Sequence, residues 1–137
     1  MLTAIERKHY PRYDMKHTFY ITPCAKPRMT RSDRWNQRPA VVKYWEFKDQ
    51  LVREAGIDEF ILPDAYRVDF YIPMPASWSE KKRKTMRGKP HQQKPDVDNL
   101  VKALNDSLKD DDSSVYYIHA VKYWSDVGRI EVEEVNI

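Results

Sequence analysis

The stretch that decides the fold is KPDVDNLVKALNDSLKDDDSSV, residues 94–115. Val97, Leu100, Val101, Leu104 and Leu108 recur at helical spacing, so Asp96–Leu108 reads as an amphipathic helix entered from Pro95. Asp96 or Asp98 can cap its N-terminus, where the helix dipole also favours negative charge. Asp110, Asp111 and Asp112 break the apolar pattern and close the element.

Working outward, Val115–Tyr123 (VYYIHAVKY) and Gly128–Val135 (GRIEVEEV) alternate like strands. The DVG at 126–128 is a turn signal, so the two are expected to form an antiparallel hairpin. Upstream, Ala65–Ile72 reads as a strand and Trp78–Arg87 as a short helix capped by Ser77 or Ser79. Pro39–Ala55 reads as a longer helix with an apolar stripe of Val42, Trp45, Leu51 and Val52 and a C-cap at Gly56. His17–Thr22 is a first strand, followed by a basic loop, 23–38, punctuated by Pro23 and Pro27. The order β, α, β, α, α, β, β specifies an α/β (α+β) fold, a small mixed sheet with helices packed on it, as one domain over 1–137.

A chain of 137 residues, 41% hydrophobic and 33% charged, suits one globular domain with a real core. No run approaches a membrane span, and MLTAIERKHYPRYD lacks the apolar stretch of a signal peptide. The single cysteine, Cys24, excludes an internal disulfide and a cysteine-rich zinc site, which points to a reducing, cytoplasmic setting. The histidines His9, His17, His91 and His119 show no metal-ligand spacing.

Net charge is only +3, but its distribution is uneven. Residues 81–94 (KKRKTMRGKPHQQK) carry Lys81, Lys82, Arg83, Lys84, Arg87, Lys89 and Lys94 with no acid. Residues 96–112 then carry Asp96, Asp98, Asp106, Asp110, Asp111 and Asp112 against Lys102 and Lys109. A basic stretch running into an acidic one suits a protein that attracts a polyanion and holds a divalent ion beside it. By charge alone, a solvated basic loop beside an unrelated acidic helix reads equally well.

Hydrolysis of a phosphodiester at neutral pH needs charge neutralised at the phosphate and a water activated. Magnesium, a hard cation, does this from one or two carboxylates, with waters and substrate phosphate completing its shell. Asp96 and Asp98 can reach one ion if the first is extended and the second begins the helix. Asp98 and Lys102, four apart, share a helix face, which puts an ammonium close to the carboxylates. Taken singly, Asp96 and Asp98 read more readily as caps, Asp98 with Lys102 as a surface pair, and Asp110–Asp112 as a solvated turn.

The extended pattern is more specific. Asp96, Asp98, Asn99, Leu100 and Lys102, then Asp111, Asp112 and Val115 before a strand, resemble the RusA family of Holliday junction resolvases, notably its phage branch. The basic KPRMTR at 26–31 is similar to a loop of phage members. The resemblance implies a magnesium-dependent endonuclease, with manganese able to substitute, that works as a homodimer on branched DNA. It implies paired symmetric nicks in four-way junctions during recombination and repair, in a bacterial or phage-infected cell. It implies Asp96, Asp98 and Asp112 as metal carboxylates, Asp111 as their neighbour, and Lys102 as a catalytic lysine. The link from Leu108 to Asp110 is short, with Lys109 alone between, and Asp112 is matched because it lies three before Val115.

Two basic groups are candidates for DNA: Lys26, Arg28 and Arg31 in one, and Lys81, Lys82, Arg83, Lys84, Arg87, Lys89 and Lys94 in the other. Trp35 and Trp78 sit beside them, where they can stack on bases or pack in the core. The alternatives kept are a nuclease for flaps or replication forks and a branched-DNA-binding module that does not cut.

Overall fold

Four strands and three helices carry the chain, in a computed structural model that describes residues 16–34 and 38–136. β1 (Lys16–Phe19) leads through a basic loop and a 3-10 turn (Arg31–Arg34) into α1 (Pro39–Ile57). Then come β2 (Ala65–Pro73), α2 (Glu80–Met86), α3 (Val97–Leu108), β3 (Tyr117–Ser125) and β4 (Arg129–Glu134). The sheet order is β1-β4-β2-β3. β4 runs antiparallel to both β1 and β2, and β2 and β3 are parallel. The mixed sheet with packed helices is the expected α+β class.

The expected hairpin is not what forms. β3 and β4 are both strands, but β2 lies between them. β3 pairs with β2 from Ala65↔Tyr117 to Pro73↔Ser125, while β4 pairs with the other edge of β2. The Asp126–Gly128 link therefore steps over the end of β2, where Met74 donates to the Ser125 carbonyl at 2.9 Å. Two strand spacings are about 10 Å, within the reach of a three-residue link. The turn signal was right, and the pairing was set by which apolar faces meet. β2 is the most buried strand and takes the centre.

α1 and α3 cover one face of the sheet. Tyr44, Leu51, Leu100 and Leu104 meet Phe19, Tyr66, Val68, Phe70, Ile130 and Val132 from the strands, all at or below 1% exposure. Burying each such side chain contributes about 1.5–3 kcal/mol. The inward stripe of α1 is Val41, Tyr44, Phe47, Leu51 and Ala55. Of the expected stripe only Leu51 is inside, and Val42, Trp45 and Val52 stay 40–46% exposed. Alternative stripes along one helix differ by a small rotation, which only the partner surface resolves.

The end of α1 also differs from expectation. Gly56 lies in the last turn, and Glu59 takes the left-handed conformation at φ 54°. Phe60 donates to the Ala55 carbonyl at 2.8 Å and Glu59 to that of Gly56 at 3.3 Å, which satisfies the terminal carbonyls. α2 is capped by Ser79, whose hydroxyl accepts from the Lys82 amide at 3.2 Å.

The other sheet face is polar. Lys16 and Arg129 both pair with Glu131, Arg67 pairs with Asp69, and the Arg129 guanidinium sits 3.6 Å from the centre of the Tyr71 ring. Tyr71 stacks in turn on Tyr123.

Candidate active site

α3 places the motif. Leu100, Ala103 and Leu104 lock one side of the helix into the core, joined by the buried Asn105 and Ser107. Tyr66 of β2 donates to the Asn105 side-chain oxygen at 2.5 Å, which fixes the rotation of the helix over the sheet. Within α3, Asp98 and Lys102 are then the exposed residues, one turn apart. Neither side chain forms a hydrogen bond or ion pair with any described residue. Their alternative reading as an ordinary surface pair is not what the structure shows.

Asp96 occupies the N-cap position in extended conformation, φ −70° and ψ 144°, yet its side chain makes no capping bond. The Asp112 side chain, at the start of a 3-10 turn (Asp112–Ser114), also has no hydrogen-bonded partner among the described residues. Most other described aspartates are committed: Asp33 to Arg38 and Thr30, Asp64 to Lys109 and Ser114, Asp106 to Lys26, and Asp126 to Arg87. Asp111 holds the 3-10 turn by accepting from the Ser113 amide at 3.0 Å, which lowers its carboxyl below the usual range. Asp96, Asp98 and Asp112, unlike Asp111, make no side-chain bond that would give them a structural task.

The carboxylates do not gather into one cage. Among the described residues, no three His, Cys, Asp or Glu side chains form a group able to hold a metal. Asp112 is close enough to Tyr66 to help burial raise its phenol above the ordinary value. The donor set nonetheless fits a hard divalent ion. Asp96 and Asp98 are exposed, uncommitted oxygen donors at the positive end of a helix dipole, and magnesium needs no more than one or two carboxylates.

Two basic segments border α3. In the loop after β1, Lys26 donates its amide to the Asn99 carbonyl at 3.2 Å and its ammonium to Asp106. This pins Lys26 to the helix, and Arg28 and Arg31 beyond it are exposed. The loop is shaped by Asp33, whose carboxylate accepts from Thr30 and from Arg38, contacts that hold it far below the usual carboxyl range. The other segment runs from α2 along the edge of β3. Gly88 donates to the Trp124 carbonyl, Trp124 to that of Lys89, and His91 to that of Lys122, each at 2.9 Å.

Of the residues expected to touch DNA, Lys81, Lys84, Lys89, Lys94, Arg28 and Arg31 are exposed with no side-chain partner among the described residues. Lys26 holds Asp106, Arg83 donates to the Pro75 and Trp78 carbonyls, and Arg87 pairs with Asp126. Lys82 covers the Trp78 ring at 4.2 Å. Trp78 itself packs on Trp124 at 4.7 Å, so it is a packing residue. Trp35 and His9 lie outside the described residues. His91 is 3% exposed, and burial, with the Lys122 charge adding, lowers its ring below the ordinary histidine value.

Sequence reasoning missed Lys122, the pairing of Asp106 with Lys26, and the Tyr66–Asn105 bond. Lys122 had a signal, since the other residues of its phase in the strand, Ile118, Ala120 and Trp124, are apolar. The other two depend on contacts across the fold and had none.

Residues 19–134 match the family model described as endodeoxyribonuclease RusA. The chain is also 34% identical to the uncharacterized protein YqaN of Bacillus subtilis (strain 168), over 86% of this chain and 93% of that protein.

Proposed function

Because the chain belongs to the RusA family of endodeoxyribonucleases, a family of Holliday junction resolvases, we propose that it nicks four-way junctions symmetrically as a magnesium-dependent homodimer. The observation that carries this reading is the exposure of Asp98 and Lys102, unpaired, on a helix otherwise locked into the core, with the uncommitted Asp96 at its head.

Asp96 and Asp98 hold the ion in this reading, Asp112 completes the essential carboxylates, and Asp111 supports it through the turn. When bound, magnesium supplies a Lewis acid that neutralises the scissile phosphate and lowers the pKa of the attacking water. Lys102, one turn from Asp98, directs its ammonium to a phosphate oxygen and stabilises the charge that builds there. Water adds to phosphorus and the bond to the 3′ oxygen breaks, leaving a 5′-phosphate and a 3′-hydroxyl. Two protomers bring one such site to each of two symmetric strands.

The exposed cations hold the arms of the junction. Replacing Lys81, Lys84 and Lys89 together by Ala is expected to weaken junction binding and to flatten the slope of log K against log salt by about 2–3. A filter-binding series across salt concentrations measures this, and an unchanged slope removes the patch from the interface. Arg83→Ala is expected to act on the Pro75–Trp78 turn that it holds, and to leave the salt slope alone.

Cleavage of a labelled four-way junction, a flap and a plain duplex, each with magnesium and with EDTA, tests the assignment. Paired nicks confined to the junction and requiring magnesium support it. Faster cutting of flaps would make the protein a fork or flap nuclease, and cutting undiminished by EDTA would remove the metal.

A further inference from the structure

We propose that Lys122 is a positioning residue of this site: from β3 it fixes the main chain directly ahead of Asp96, and so aims the Asp96 and Asp98 carboxylates. The proposal rests on the reading that these two residues hold the ion.

Lys122 is paired across the sheet with Phe70, which is 1% exposed beneath the helices, so it too lies on the helix-covered face. Its neighbours on that face are Ala120, packed against the core, and the buried Trp124. An apolar side chain would suit that position, and setting an ammonium there costs desolvation. The ammonium is half-buried and pairs with no described carboxylate. It donates instead to two main-chain carbonyls, Gln93 at 2.5 Å and Pro95 at 2.7 Å.

Those carbonyls belong to the connector between the edge of β3 and α3. Main-chain bonds to β3 hold the connector as far as His91, whose amide donates to the carbonyl of Lys122 itself. From Gln92 to Asp96, the bonds to Lys122 are the ones that tie it to the sheet among the described residues. Asp96 follows Pro95 directly and starts the helix that carries Asp98. Lys122 therefore holds the hinge between a sheet-bound segment and the site.

Lys122→Met keeps the aliphatic stem and removes the donors. Three readouts are compared with wild type and with Asp96→Asn: Mn2+ binding to the DNA-free protein by calorimetry, amide exchange along the chain, and junction cleavage. Mn2+ affinity is expected to fall about tenfold. Exchange should quicken at residues 92–100 while β4 keeps its protection. kcat should fall about 100-fold with KM within about threefold, as for a misplaced catalytic group. Lys122→Arg, which can donate to both carbonyls, should recover most of each loss. Normal Mn2+ binding and kcat in Lys122→Met, with Asp96→Asn inactive, would overturn the proposal alone. Exchange quickened throughout the sheet, or no recovery by Lys122→Arg, would assign Lys122 a general structural role and overturn it too. An Asp96→Asn protein that binds Mn2+ and cuts normally would overturn the site reading, and this proposal with it.

Discussion

Asp98→Asn is expected to slow junction cleavage by at least about a thousandfold while leaving junction affinity within about threefold. The substitution removes one negative charge and keeps the volume. Asp98 is exposed and its side chain bonds to no described residue, so the substitution costs the fold little beyond the carboxylate's favourable place in the first turn of α3, at most about 1 kcal/mol. The cations proposed to serve affinity stand on other segments: Arg28 and Arg31 after β1, Lys81 and Lys84 on α2. Binding and cutting therefore separate. Gel-shift titration and single-turnover cleavage on one labelled junction measure both. Cutting at the normal rate would remove Asp98 from the metal site. Equal loss of binding and cutting would make it a DNA-contact or folding residue.

Leu104→Ala should lower stability by about 2–5 kcal/mol, read as a lower urea midpoint with an unchanged slope. Leu104 is fully buried in the cluster that joins α3 to α1 and to the sheet. Its truncation opens a cavity on the side of the helix opposite the exposed pair, next to Asn105, whose bond to Tyr66 fixes the helix rotation. The chemistry itself is untouched, so below the melting temperature activity should follow the folded fraction. A loss below about 1 kcal/mol would mean that α3 is not the anchor described. Activity falling far more than the folded fraction would show that the cavity lets α3 shift and moves Asp98 with it.

The uncommitted state of Asp96, Asp98 and Asp112 bears on why a short motif was informative. A cap needs one carboxylate bonded to a helix amide and a surface pair needs two charges in contact, and neither is formed here. The buried, apolar positions of α3 follow from local periodicity, because a 3.6-residue repeat puts Leu100 and Leu104 on one side whatever they face. The same periodicity leaves Asp98 and Lys102 together on the other.

By itself, then, the sequence determined the element types, the α+β class, the helix that carries the motif and the family to which the motif belongs. The elements and the class rest on spacing of a few residues, where backbone geometry acts alone, and the family rests on the resemblance of the motif. Only the tertiary structure decided that β2 separates β3 from β4, because strand pairing is settled by which faces bury most, not by the turn between them. It also decided that Lys26, Arg83 and Arg87 have partners inside the protein, and that Lys122 grips the connector ahead of Asp96. Each of the contacts made by Lys26, Arg87 and Lys122 joins residues that are 27 to 80 positions apart. No periodicity reaches that far; such contacts exist only once burial of the core has brought the segments together.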